Sequence, residues 1–328
     1  MGPSGAGKST VRASCFNKPS SKNLRLQFIN YIAGQEVTTV GHDLESCTAA
    51  LLPVVINSDS KRDLLKDRRL VLVDTPGFGD TYVDDADILR EIGSWLETMY
   101  DPRDSHGHKG ETKLAGIVYL HDISLTRMLG STLKNLETFQ NLCGKGALKR
   151  VVLCTTKWSD IYEEEGERRI EQLKGGHWKE MIEGGSTVCE FEDSQESAWD
   201  VIAPIIEKDR YKKMDALEIQ KELVEAKKLL PETAAGRQMR YDLDQLLKTF
   251  EQASSEDSSR RKELDAKIAA IRDQMREMHV PVTQRNSGSL DLTYTNEDRD
   301  STKVKSRITN HSDPDFSDAN DEGDIIIP

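Results

Sequence analysis

At 328 residues the chain is longer than one usual domain and short of three. Hydrophobic residues make up 36% and charged residues 31%, with a mean hydropathy of -0.60, so only part of the length belongs to a packed core. A net charge of -12 argues against non-specific nucleic-acid binding and against an anionic membrane surface, since both require an excess of cations.

No apolar run approaches transmembrane length and no signal peptide is visible. The five cysteines (Cys15, Cys47, Cys143, Cys154, Cys189) are odd in number and widely spaced, with no C-x-x-C. They read as reduced, mostly structural thiols of a cytoplasmic protein. Myristoylation of Gly2 is set aside, because Ala6 stands where that signal needs Ser or Thr.

In chain order, the first informative stretch is Gly2-Pro3-Ser4-Gly5-Ala6-Gly7-Lys8-Ser9-Thr10, in which Gly2 to Ser9 fit G-x-x-x-x-G-K-[ST]. Glycines at this spacing let successive backbone N–H groups turn onto α- and β-phosphates. Lys8 reaches the β- and γ-phosphates, and the Ser9 hydroxyl is a hard ligand for Mg²⁺. A Gly/Ser-rich terminus without structure is the ordinary alternative, and later context decides between them.

Such a loop hangs from the end of a buried strand and feeds a helix. The strand expected before Gly2 is the central one, lying between a strand that ends at Asp74 and another at 115–120. It is read as missing, which would leave its neighbours with unpaired backbone groups. The helix is interrupted too: Asn17-Lys18-Pro19-Ser20-Ser21 is a break, and apolar helical spacing resumes at Phe28-Ile29-Asn30-Tyr31-Ile32. Residues 11–27 therefore read as an insertion, from a retained intron with an upstream exon lost, ahead of a genuine surface-loop insertion.

Leu51–Asn57 and Arg69–Asp74 are apolar runs around a polar turn and predict an antiparallel pair. The second ends in Asp74-Thr75-Pro76-Gly77, the Asp-x-x-Gly of a nucleotide switch. Asp74 holds Mg²⁺ through water, and the Gly77 N–H meets a γ-phosphate. Thr48 is a candidate second hydroxyl for the metal. Lys8, Thr48 and Gly77 are the candidates for catalysis, and Ser9, Thr48 and Asp74 those for the metal.

Helical spacing marks 84–100 and 132–142, and His106-Gly107-His108 between them lacks the further ligands a metal site needs. Strands are predicted at 114–120, 150–154 and 187–191, with helices at 163–182 and 194–206. This alternation predicts an α/β fold, a mostly parallel sheet with its ligand at the strand C-termini. Apolar residues at 3-4 spacing over 216–230, 239–250 and 264–278 predict coiled-coil or helical-hairpin pairing. The stretch 281–328 is polar and predicted to be disordered.

With Gly2–Ser9, Thr48, Asp74-Thr75-Pro76-Gly77-Phe78-Gly79-Asp80, Tyr119-Leu120-His121-Asp122-Ile123-Ser124 and Thr155-Thr156-Lys157-Trp158 in this order, the chain resembles the septin-like P-loop GTPases. It is most similar to the avirulence-induced, immunity-associated (GIMAP-type) branch, particularly fungal G-domain proteins with a helical C-terminal extension. The resemblance implies a P-loop NTPase G domain over 1–206, a helical extension over 207–280 and a tail over 281–328. It implies GTP/GDP and Mg²⁺ as ligands, slow GTP hydrolysis, association into a homo-dimer or oligomer through G domain and helices, and Thr156 and Lys157 flanking the guanine base.

Two residues depart from that pattern. Ser159 stands where a base-reading acid belongs, with Asp160 one position late, and Phe78 stands where a glutamine would orient water. The leading reading is a GTP-binding switch with slow Mg-dependent hydrolysis. A nucleotide-gated assembly scaffold with negligible turnover, or an ATP-binding P-loop protein, are the alternatives. Sequencing the transcript tests the insertion: the intron reading expects codons 11–27 to be absent from mature message, and their presence would overturn it.

Overall fold

Strand β1 (Leu52–Ile56) pairs antiparallel with β2 (Leu70–Asp74), Leu52 opposite Asp74 and Ile56 opposite Leu70, as the two apolar runs predict. The computed structural model describes residues 1, 28–35, 51–56, 62–66, 68–75, 85–100, 114–128, 130–209, 215–256, 261–278 and 325–328. Strands β3 (Ile117–Asp122), β4 (Val151–Thr156) and β5 (Thr187–Glu190) pair parallel in that order.

A sixth strand, β6 (Ile325–Ile327), pairs parallel with β2, Leu70 opposite Ile325 and Leu72 opposite Ile327. Its far edge meets the β3 segment through a parallel bridge between Leu114 and Ile326. The spatial order is thus β1-β2-β6 followed by β3-β4-β5. This corrects two expectations. The central position read as missing is filled, and the tail expected to be disordered over 281–328 contributes an ordered, fully buried strand. The reason is common to both: two buried strand edges need backbone partners, and three consecutive β-branched residues suit a strand covered on both faces.

Side chains alternate between the two faces, as the pleat requires. Val71, Val73, Tyr119, Leu153 and Ile326 join one core, while Leu72, Val118, Leu120, Val152, Ile325 and Ile327 join the other. Helices α1 (Phe28–Ala33), α2 (Arg62–Leu65) and α7 (Gln195–Asp209) cover the second face. On this side the indole of Trp199 donates to the Ile32 carbonyl at 3.2 Å. Ser194 caps α7, its hydroxyl accepting from the Ser197 N–H at 3.1 Å.

Helices α3 (Asp85–Tyr100) and α4 (Gly130–Cys143) cover the first face. The predicted helix over 163–182 divides at its glycine pair into α5 (Glu163–Gly175) and α6 (Lys179–Glu183). The seam predicted over 216–230 is also interrupted. Helix α8 (Glu218–Gln220) runs into a π-helical turn, Lys221–Glu225, and Lys227 then takes a left-handed φ of 50°. The buried Glu222 carboxylate explains the reversal, since it accepts from the Ala234 N–H at 2.8 Å and from Lys228 Nζ at 2.9 Å.

Helices α9 (Ala234–Glu256) and α10 (Arg261–Glu277) form an antiparallel hairpin, with Ser254 Oγ on Asp265 and Arg272 on Glu251. Met239, Leu243, Leu264, Ile268 and Ile271 are buried as the 3-4 spacing expects. The hairpin does not stand free, because α9 packs against α3 and α4 and shares their core.

Gly116, just ahead of β3, is where the sheet tolerates least. A Cβ there would lie 2.6 Å from the Arg150 carbonyl and 2.6 Å from Ile205 Cγ2. Gly116→Ala is expected to lower stability by about 1–3 kcal/mol. Gly130→Ala, with open space around it, should show no such loss, and urea denaturation distinguishes the two.

Candidate functional site

Strands β2, β6, β3, β4 and β5 run in one direction, so Asp74, Asp122, Thr156 and Glu190 end on one edge of the sheet. This is the edge where open α/β sheets bind ligands. Asp74 is 4% exposed and lines a cavity of ≈ 40 Å³ with Thr75, Met1, Phe28, Leu120 and Pro328. A carboxylate fixed there keeps a hard oxygen at a strand end, the donor type Mg²⁺ takes. Among the described residues no group of three or more His, Cys, Asp or Glu is placed to hold a metal ion. Of the residues expected at the site, Gly2 to Thr10, Thr48 and Gly77 lie outside the described residues, as do residues 11–27 and His106 and His108.

Thr156 and Lys157 are described. The Thr156 hydroxyl is buried and donates to the His121 carbonyl at 3.3 Å, tying β4 to β3. Lys157 follows in a left-handed conformation, φ 63°, which carries its side chain back over the strand ends. Its Nζ bonds Asp122 Oδ2 at 2.5 Å. Asp122 is itself held, since Oδ1 accepts from the Ser124 N–H at 2.9 Å and from its hydroxyl at 2.6 Å. Arg169 on α5 donates to the Ile123 and Ser124 carbonyls at 2.9 and 2.7 Å, so the turn after β3 is pinned from two sides.

Trp158 begins a short 3₁₀ turn, its indole donating to Thr155 Oγ1 at 3.0 Å. Asp160 remains exposed in that turn. The Ser159 hydroxyl instead meets a carboxylate from elsewhere, Asp193 Oδ2, at 3.3 Å. Asp193 sits in the turn between β5 and α7 with φ 51°. Burial, then the nearby Asp193 charge, push the Tyr31 hydroxyl above its ordinary pKa.

Sequence reasoning gave Asp193 no role, and nothing in Glu190-Phe191-Glu192-Asp193 distinguishes it from a solvated acidic run. Asp122 lies within the Tyr119–Ser124 motif, but its pairing with Lys157 depends on strand register that spacing does not reveal.

His121 lies beneath this edge, 4% exposed, its ring edge-on to Trp178 at 5.8 Å. Its Nδ1 and the Trp178 Nε1 are both buried without a hydrogen-bond partner among the described residues. Burial pushes His121 down to about 4, against the pull of the Asp122 carboxylate, with His177 adding to the depression.

No protein-family model matches the chain, and no curated protein matches it. Among solved structures it is similar to a dimerization-deficient mutant of Toc33 from Arabidopsis thaliana, at 13% identity and a TM-score of 0.43. The match covers 65% of this chain and 84% of that one.

The His121 depression sets a pH dependence. The unfolded chain takes up a proton at the ordinary histidine value of 6.5, while the folded chain does so only near 4. The contribution is therefore intact above pH 6.5 and is lost as pH falls through that window, by roughly 3 kcal/mol in full. Urea midpoints at pH 7.5 and 5 should fall less with acid in His121→Phe than in the parent. Equal falls would refute the assignment.

Proposed function

We propose that the protein is a guanine-nucleotide-binding switch with slow Mg-dependent hydrolysis, whose bound nucleotide controls association with itself or a partner. The observation that carries this reading is the common strand edge. Asp74 ends β2, Lys157 follows β4, and Met1, which precedes Gly2 to Ser9 covalently, lies at the same edge beside the β3 residue Leu120. In this reading Gly2, Pro3, Ser4, Gly5, Ala6 and Gly7 enclose the phosphates with Thr10 at the loop's exit, and Lys8 offsets their charge. Ser9, Thr48 and Asp74 hold Mg²⁺, which when bound draws charge from the phosphate oxygens. The Gly77 N–H senses the γ-phosphate, and the unit spans 1–206 with 207–280 as its helical extension.

Thr156 and Lys157 flank the base. The acid that the chain lacks at Ser159 is available from Asp193, which reaches the same turn from the other side. A carboxylate accepts a stronger, charge-assisted hydrogen bond from guanine than a hydroxyl does. Adenine offers no matching pair of donors, so Asp193 favours the guanine reading over an ATP-binding protein.

Phe78 favours a second reading, a nucleotide-gated scaffold that binds GTP without meaningful turnover, because its ring cannot orient water. Phosphate release from the purified chain, with Lys8→Ala as control, separates the two. Slow release abolished in the variant supports the switch, and binding without release supports the scaffold.

Asp193→Asn tests the base. Its affinity for GTP relative to ATP should fall on the order of ten- to a hundredfold, the worth of one charge-assisted bond. Competition between labelled GTP and ATP measures it, and an unchanged ratio would remove Asp193 from the site.

A further inference from the structure

Among the described residues β5 is the outermost strand of the sheet, held to β4 along one edge and only partly buried. Its register places Cys189 directly opposite Cys154, with Val188 opposite Leu153 and Glu190 opposite Thr155. Both cysteine side chains lie on the face that α1 and α7 cover. Cys154 is sealed in that core, and Cys189 packs against it from the rim. Both are free thiols, and the Cys154 thiol rests on the Thr155 carbonyl at 3.5 Å.

Facing residues of a parallel ladder stand about 4.8 Å apart, inside the span of about 4.4–6.8 Å that a disulfide bridges between α-carbons. Their β-carbons must close to about 3.8 Å, nearer than such a pair ordinarily stands, so the bond would be strained and readily reduced. Burial, then the neighbouring Cys189 and Glu190 charges, hold the Cys154 thiol above its ordinary range. At Cys189 burial and Asp200 push the same way, and Lys208 pulls against them. Both thiols are therefore protonated at rest, and of the two only Cys189 is open to a reagent.

We propose that Cys154 and Cys189 form a reversible dithiol–disulfide site that takes a small soluble disulfide as oxidant and, once oxidised, locks β5 onto β4. The Cys189 thiolate attacks one sulfur of the oxidant, giving a mixed disulfide and releasing the other half as a thiol. Cys154 then loses its proton, attacks the Cys189 sulfur and displaces the second half as a thiol. Two protein thiols are oxidised and one disulfide is reduced, with both cysteine protons ending on the released thiols. The lock falls next to the carboxyl edge, since the Phe191 N–H, two residues on, donates to the Thr155 carbonyl at 2.9 Å. The site stands on register and burial and does not rest on the nucleotide reading.

Oxidised glutathione added to the native full-length protein, followed by tryptic digestion and mass spectrometry, tests the pair. Peptides 151–157 and 180–208 should appear as one linked species, about 2 Da lighter than the two together. Cys154→Ala should stop at one glutathione on Cys189, and Cys189→Ala should leave Cys154 unreacted, so either variant serves if the other folds poorly. Cys143, sealed in the opposite core, should stay a free thiol throughout.

Hydrogen exchange reads the lock. The Cys189, Glu190 and Phe191 amides should exchange about tenfold more slowly in the oxidised protein and return to the starting rate with dithiothreitol. A parent that halts at a glutathione adduct on Cys189, or whose two peptides never link, would overturn the pairing. A link accompanied by reaction of Cys143 would overturn it too, because the bond would then come from unfolded chain. A link that leaves β5 exchange unchanged would overturn the lock.

Discussion

Everything in this fold depends on backbone groups of β2 and β3 finding partners in the middle of the sheet. An N–H or carbonyl buried without one costs on the order of 1–3 kcal/mol, and a whole edge left open would exceed the net stability of most domains. β6 answers that demand along both of its edges while sending side chains into both cores. The two halves of the sheet, β1-β2 and β3-β4-β5, form one surface because of it, and the helices on each face pack over that join.

Charge is arranged around the same sheet. At the carboxyl edge, Lys157 and Asp122 bridge the ends of β3 and β4. At the opposite edge, Asp209 at the end of α7 accepts Arg68 at 2.7 Å and lies 3.8 Å from Arg150. A carboxylate at a helix C-terminus is unfavourable by itself, and the two guanidinium groups make it tolerable. These partly buried pairs tie the strand ends together at both edges, whereas the exposed i,i+4 pair Glu263–Lys267 on α10 contributes little.

Much of the framework was legible in the sequence because it is local. Apolar runs of β-branched residues became β2, β3 and β4, and the antiparallel β1–β2 pair followed from two apolar runs close in sequence, although helix α2 lies between them where only a polar turn was expected. Helical spacing located α3, α4, α7, α9 and α10 to within a few residues. What stayed hidden joins residues far apart in the chain. Glu222 turning the chain by capping Ala234, Asp193 approaching Ser159, and Lys157 reaching Asp122 all require a register that periodicity does not contain. Three isoleucines at the end of a polar tail are too short a run to announce a central strand. Only the unsatisfied neighbours on either side reveal what such a strand is for, and that need was visible even when its source was not.

Of the four tryptophans, Trp95, Trp178 and Trp199 are sealed in the two cores, whereas Trp158 is only half-buried beside Lys157, its ring packed on Gly166. The chain thus carries one intrinsic fluorophore at the rim of the carboxyl edge and three in constant surroundings. A change in polarity at that rim would reach a single indole, so emission from the unlabelled protein would register it against three sealed fluorophores.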